Sequence, residues 1–262
     1  MIWIFLQYLW ILLVCCVKNV ESLSPQAPSA FSFARPPHLA LVTERCTCDS
    51  EARLKESIAA LRRACCGSKA VDLVSVRIDP EAPRERVVRL TKALIEIRDD
   101  THFFRVVLNS DWKDLVAESG ADGVHFKEAH RHLIASVRQL HPNLLVGASA
   151  HSVESALEVH SEYHPDYFFV GTCYMTDSHP EKAEADLEGP LLPGEVTQAL
   201  QTETISPPPV FAIGGIDLLN CHVPVCYGAN GTATIRAVLH SFDPGIVASQ
   251  MKENMLLASI SE

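Results

Sequence analysis

The sequence is short of cationic side chains: 22 Lys and Arg stand against 32 Asp and Glu, a formal charge of −10. A nucleic-acid binder presents a basic face, so this balance speaks against nucleic acid as a partner. Small anions stay open, because a local pocket can oppose the global charge. No C-x-x-C pair occurs among the 9 cysteines, so a zinc ribbon is not indicated. No short-period repeat or low-complexity run is present. With 47% hydrophobic and 21% charged residues, the chain is neither disordered, collagen-like nor coiled-coil. One long apolar run exists, Ile2 to Val17, broken by Gln7. As helix it reaches about 24 Å, short of the ~30 Å hydrocarbon core.

That run reads as the apolar region of a secretory signal. An uncleaved signal anchor is the rival, because no Lys or Arg precedes the run and Lys18 follows it. Lys18 to Pro37 is rich in Ser, Pro and Ala and reads as linker. Residues 1–37 are therefore expected to be a targeting leader and 38–262 a single domain, with no stable membrane span in the mature protein. Beyond Cys15 and Cys16 the cysteines are odd in number, and Cys46/Cys48 and Cys65-Cys66 are too close for easy local bridging. A reducing compartment is expected. Ser29-Ala30-Phe31 resembles the Ala-Phe junction of bipartite plastid presequences, which implies plastid import behind the secretory signal.

The rest of the chain alternates strand and helix. Strand-like segments are 38–43, 70–77, 103–109, 122–126, 144–148, 166–171, 209–214 and 231–234. Helical spacing fills 49–66, 84–97, 111–119, 128–140, 152–160 and 194–201, and a polar stretch spans 175–189. Repeated βα pairs with short loops imply a parallel sheet, and eight pairs close a barrel. The expected fold is α/β, a single (β/α)8 TIM barrel. In such a barrel the chemistry sits at the C-terminal strand ends.

Two glycine segments, Gly214-Gly215 after strand seven and Gly228 to Gly231 before strand eight, read as a phosphate cup. Ile235 and Arg236 complete it. Tight turns without a ligand are the alternative. His125, His130 and His132 have near-metal spacing but span a strand end and a helix start. Cys173 reads as a packed thiol, and the acidic stretch 181–188 as a solvated loop.

LVTE at 41–44, VDLVSVR at 71–77, VVLN at 106–109 and GADGVHF at 120–126 resemble the thiamine phosphate synthase / TenI family. So do VGASAHSVESALE at 146–158, FFVGTCYMTDSHP at 168–180, VFAIGGI at 210–216 and GANGTATIRAV at 228–238. The likeness covers roughly 38–240. It implies the barrel and a transferase of thiamine biosynthesis. The partners implied are a pyrimidine pyrophosphate and a thiazole phosphate, with Mg²⁺ and cationic side chains neutralising the pyrophosphate that leaves. The alternative readings of this chain are a TenI-like thiazole phosphate tautomerase and a non-catalytic phosphate-ligand-binding barrel. The oligomeric state stays open.

Residue by residue, the resemblance assigns pyrophosphate to Arg77, Asn109 and Ser149. It assigns the thiazole phosphate to Thr176, Ser178 and His179, with Gly214 and Gly215 beside them. His151 is the proton-transfer candidate, or else a plain residue at a helix start. Several family positions are altered. Ser75-Val76-Arg77-Ile78-Asp79 replaces Q-x-R-x-K, Asn109-Ser110 replaces Asn-Asp, and Lys127-Glu128-Ala129-His130 replaces G-Q-E-D. Both Mg²⁺ ligands are thereby lost, with Asp111 as a possible substitute. His179 replaces a Lys, and Arg236 stands where the family usually has Ser.

Overall fold

The computed structural model describes residues 33, 35–101, 104–178, 180 and 182–260. Most of the expected leader, and His179, lie outside the described residues.

Eight strands form one closed parallel barrel in chain order. They are β1 (His38–Val42), β2 (Leu73–Val76), β3 (Arg105–Asn109), β4 (Gly123–Phe126), β5 (Leu145–Ala150), β6 (Tyr167–Val170), β7 (Val210–Ile213) and β8 (Gly231–Thr234). The ring shuts where β8 lies on β1, with Leu41 opposite Thr234. Nearly every strand residue is buried, because the strands are covered outside by helices and filled inside by side chains. That two-sided burial is why the strands read as apolar runs such as YFFV and LVSV.

Around the barrel lie α1 (Glu51–Ser68), α2 (Arg84–Thr101), α3 (Val116–Ser119), α4 (Ile134–Leu140), α5 (Val153–Tyr163) and α6 (Leu192–Glu203). The chain continues through α7 (His222–Cys226), α8 (Arg236–Leu239) and α9 (Pro244–Ile260). Two of these starts are capped by serine: Ser50 accepts from the N–H of Arg53 at 3.2 Å, and Ser152 from that of Ser155 at 3.0 Å. The segments leading into α3 and α4 are 3-10 turns, Ser110–Leu115 and Glu128–Leu133, rather than α-helix from the start. The last helix is absent from the sequence expectation, since it is apolar on several faces and shows no clean stripe. The Asp243-Pro244 start was its legible signal: Asp243 Oδ1 accepts from the N–H groups of Gly245 and Ile246 at 3.0 and 3.1 Å. No helix among the described residues is long and apolar enough to cross a membrane.

The core has two layers. One lies between barrel and helices, as in Leu41, Val74, Leu108 and Phe126 against Leu54, Leu61, Leu90 and Leu94. The other fills the barrel with Ala40, Val42, Leu73, Val107, Leu145, Tyr167, Phe169, Phe211 and Ala233. Phe33, inside the stretch expected to be leader, packs on this inner layer. Its ring centre is 5.6 Å from that of Phe211 and 5.9 Å from that of Tyr167. The barrel's own packing therefore reaches back before His38.

Candidate active site

Side chains alternate across each strand, so every second residue points inward. Above the apolar filling, that alternation sends Ser75, Asn109, His125 and Ser149 into one cavity of about 950 Å³. Arg77, Lys127, His151, Thr176, Ser178, Gly214, Gly215, Ile235 and Arg236 line it as well. Val42, Phe169, Ile213, Ile216 and Met175 give it an apolar floor and side.

Arg77 follows β2 directly. Its N–H donates to Thr43 Oγ1 at 2.8 Å, and the Thr43 hydroxyl donates to the Arg77 carbonyl at 3.0 Å. The backbone is thus pinned while the guanidinium reaches the cavity. That guanidinium has no carboxylate partner among the described residues. Burial lowers its pKa, and the nearby cations Arg45 and Arg236 lower it further. A partly buried, unpaired cation beside other cations is a place where an anion is strongly favoured. Arg236 crosses the mouth from α8, with Nη1 3.3 Å from Asp177 Oδ2 and Nη2 3.4 Å from Thr176 Oγ1. Asp79 does not join the cavity lining; it pairs outward with Arg45 at 3.0 Å. The charge lost there is restored from the end of β4, where Lys127 brings an ammonium to the cavity.

His125 lies at the centre of a buried chain. Its Nε2 is 2.9 Å from Ser149 Oγ and its Nδ1 is 3.1 Å from the Tyr167 hydroxyl. Burial, assisted by the field of Lys127, pushes its pKa down to about 3, so the ring is neutral. Burial raises the Tyr167 phenol well above its ordinary value, so it keeps its proton. A buried phenol needs an acceptor, and His125 Nδ1 is the one within reach. Nε2 then carries the imidazole proton toward Ser149, which leaves the serine hydroxyl to donate into the cavity.

Across the mouth, Glu188 holds the loop after β6. It accepts from the N–H of Thr172 at 2.5 Å, from Lys182 Nζ at 2.7 Å and from His151 Nδ1 at 3.1 Å. Burial raises its pKa, but the bonds from Lys182 and from backbone N–H groups, Thr172's among them, outweigh that and hold the carboxyl below the usual range. The acidic stretch 181–188 is thus not simply a solvated loop: its last residue is a fastening of the site. Pairing through Nδ1 leaves Nε2 of His151 for a ligand. Gly214 and Gly215 take φ of 101° and 64°. A Cβ on Gly215 would lie 2.5 Å from the Met175 carbonyl oxygen. Both glycines are needed for the close seating of this loop, whatever they do for a ligand.

A family profile described as thiamine monophosphate synthase matches residues 39–238. The chain belongs to that family. The thiamine-phosphate synthase of Pyrococcus horikoshii is 30% identical over 195 residues, covering 74% of this chain and 86% of that protein. That of Gloeobacter violaceus is 30% identical over 185 residues, covering 70% of this chain and 50% of that protein. The chain thus spans half the length of one curated relative it matches. A thiamine phosphate pyrophosphorylase from Pyrococcus furiosus superposes with a TM-score of 0.67 at 23% identity, covering 84% of this chain and 96% of that one. At that identity the likeness shows the fold. Membership in the thiamine monophosphate synthase family gives the chain a part in thiamine biosynthesis.

Two expectations from the sequence need correction. Gly231 does not belong to the cup. It is the first residue of β8, opposite His38, at the N-terminal end of the barrel. A Cβ there would lie 2.2 Å from the His38 carbonyl oxygen, so glycine serves close strand packing. A strand's first and last residues are at opposite rims, and it is Thr234 that reaches the mouth. The residues that would hold Mg²⁺ do not fit it either. Asp111 has its Oδ2 bonded to Asn109 Nδ2 at 2.9 Å and to Lys127 Nζ. Ser110 Oγ instead meets His130 Nδ1 at 2.7 Å. One carboxylate already neutralised by an ammonium is a poor donor set for a hard dication. His125, Tyr167, Lys127 and Glu188 were not among the sequence candidates for binding or catalysis. Lys127 had a visible signal as a cation at a strand end, and His125 one only in its spacing to His130 and His132.

Proposed function

We propose that the protein joins a hydroxymethylpyrimidine pyrophosphate to a thiazole phosphate, releasing pyrophosphate and forming thiamine phosphate. The observation that carries this reading is Arg77, unpaired and partly buried on a cavity it shares with Lys127 and Arg236. In the reaction the C–O bond between the pyrimidine methylene and the pyrophosphate breaks. Its electron pair leaves with the pyrophosphate, and the thiazole nitrogen then supplies the pair for the new C–N bond. No strong base is required. What the step needs is fixed positive charge at the leaving group and exclusion of water from the cation. Arg77, Lys127 and the Ser149 hydroxyl are suited to the leaving oxygens. Arg236, Thr176 and Ser178 are suited to the thiazole phosphate. Phe169, Val42 and Ile213 offer the pyrimidine ring an apolar surface. His151, oriented by Glu188, adds a donor from the opposite side.

The reading is tested by mixing the two substrates with the full chain and following thiamine phosphate by chromatography. Product is expected. Arg77→Ala is expected to weaken pyrophosphate binding by about 1.5–3 kcal/mol, the range for a hydrogen bond to a charged group. Absence of product would overturn it, and unchanged affinity in Arg77→Ala would take Arg77 out of the pyrophosphate site. We also propose that the residues before Phe33 act as a targeting leader into the secretory route and on to a plastid, a reading that rests on the apolar run and on Ser29-Ala30-Phe31.

A further inference from the structure

Where carboxylates would have to gather around a divalent cation, a protein ammonium is already in place. Lys127 Nζ donates to Asp111 Oδ2, and the carboxylate is 14% exposed. The same oxygen accepts from Asn109 Nδ2 at 2.9 Å, while Oδ1 lies 3.8 Å from His130 Nδ1. Among the described residues no group of three or more His, Cys, Asp or Glu is placed to hold a metal. Mg²⁺ demands near-octahedral oxygen donors, and an ammonium on the one available carboxylate repels it. Yet Lys127 is not consumed by this pair. An ammonium has three donors, and this one, 45% exposed, also lines the cavity.

The chain order places it well. Arg77 follows β2, Asn109 ends β3 and Lys127 follows β4, on three neighbouring strands of the barrel. Neighbouring strands are about 4.8 Å apart, so the two cations rise from strand ends roughly 10 Å apart, within side-chain reach of one diphosphate. The buried Oδ1 of Asn109 between them has no partner among the described residues.

We propose that Lys127, steadied by Asp111, takes the place of a divalent cation and that this mouth binds a diphosphate group without metal. The inference rests on the reading of the mouth as a diphosphate site. Asp111 fixes the ammonium as it would fix a metal ion, and Arg77 supplies the bidentate partner from the other side.

The test is calorimetric titration of the full chain with inorganic pyrophosphate, in EDTA and again in Mg²⁺. Affinity in EDTA is expected to stay within about threefold of that in Mg²⁺, and Lys127→Met to lose about tenfold or more in EDTA. Lys127→Arg, which keeps the charge, should stay within about fivefold of the parent. Lys127→Met also frees the Asp111 carboxylate. Mg²⁺ should therefore restore part of its affinity, and should restore none in Lys127→Met/Asp111→Asn. If the parent chain loses more than about tenfold in EDTA, or Lys127→Met binds like the parent there, the proposal is wrong. Should Lys127→Met fail to fold, the EDTA comparison and Lys127→Arg still decide it. The coupling assay on the same samples separates the two readings. Product formation with metal-dependent pyrophosphate binding keeps the proposed function and overturns this inference. Metal-free binding without product does the reverse. No pyrophosphate binding in either condition overturns both.

Discussion

Two buried imidazoles, His38 and His125, set the acid behaviour of the barrel interior. His38 is 2% exposed, and burial brings its pKa to about 4 despite Asp72 at 3.9 Å. His125 is brought to about 3. In the unfolded chain both titrate near 6.5. Below that value the unfolded chain takes up protons that the folded one refuses. The stability from neutral burial is therefore complete above about pH 6.5 and drains away as the pH falls toward the folded values. Urea unfolding near pH 7 and near pH 4.5 is expected to differ by about 2–3 kcal/mol per imidazole from this source. His38→Gln and His125→Gln should each flatten the difference; an unchanged pH dependence in both variants would show that neither ring is held neutral. The sequence marked His125 only through its spacing to His130 and His132. That spacing is no ligand set, because His125 faces into the barrel while His130 turns to Ser110. Arg77, Asn109 and Ser149 were legible because each stands at a strand end, where the barrel's geometry leaves few directions to point.

At the level of elements, β5 and β6 are matched by size. Gly147 lies directly opposite Tyr167. A Cβ at 147 would come within 2.1 Å of Tyr167 Cζ and 2.4 Å of its hydroxyl. The ring is fully buried and cannot step aside. Gly147→Ala is expected to cost about 1–3 kcal/mol through overpacking, lowering Tm by about 2–4 °C for each kcal/mol. It should also disturb the phenol's bond to His125. Thermal unfolding of Gly147→Ala, Tyr167→Val and the double variant is the check. The two substitutions should be strongly non-additive, and simple additivity would refute the pairing. The loop after β6 follows a different rule. Its acidic composition is that of a solvated segment, and only the tertiary fold brings Glu188 back to the Thr172 N–H, Lys182 and His151. Glu188→Gln keeps the shape but loses the charge that faces Lys182. It is expected to raise KM for the thiazole phosphate several-fold with little change in thermal stability, which steady-state kinetics beside a melting curve would read out.

For the whole molecule, the leader is the part argued from sequence alone. Fused to a fluorescent protein, residues 1–37 are expected to direct it through the secretory route to a plastid, and N-terminal sequencing should find the mature start between Val20 and Phe33. Recovery of Met1 on membranes would favour the anchor. Phe33 sets the upper bound, since its ring packs on Tyr167 and Phe211 and belongs with the barrel. By itself the sequence determined the eight strands and the helices after the first six, and with them the end of the barrel where Arg77, Ser149 and Arg236 had to meet. Strand periodicity and chain order are local properties, and closure of eight parallel pairs follows from them. What the folded structure alone decided was which side chains complete one another across that mouth. It moved Gly231 to the far rim, turned Asp79 outward to Arg45, seated Lys127 on Asp111 and tied His151 to Glu188. Those pairings join residues on different strands and loops, and their distances are set by barrel closure and side-chain packing, which no local pattern encodes.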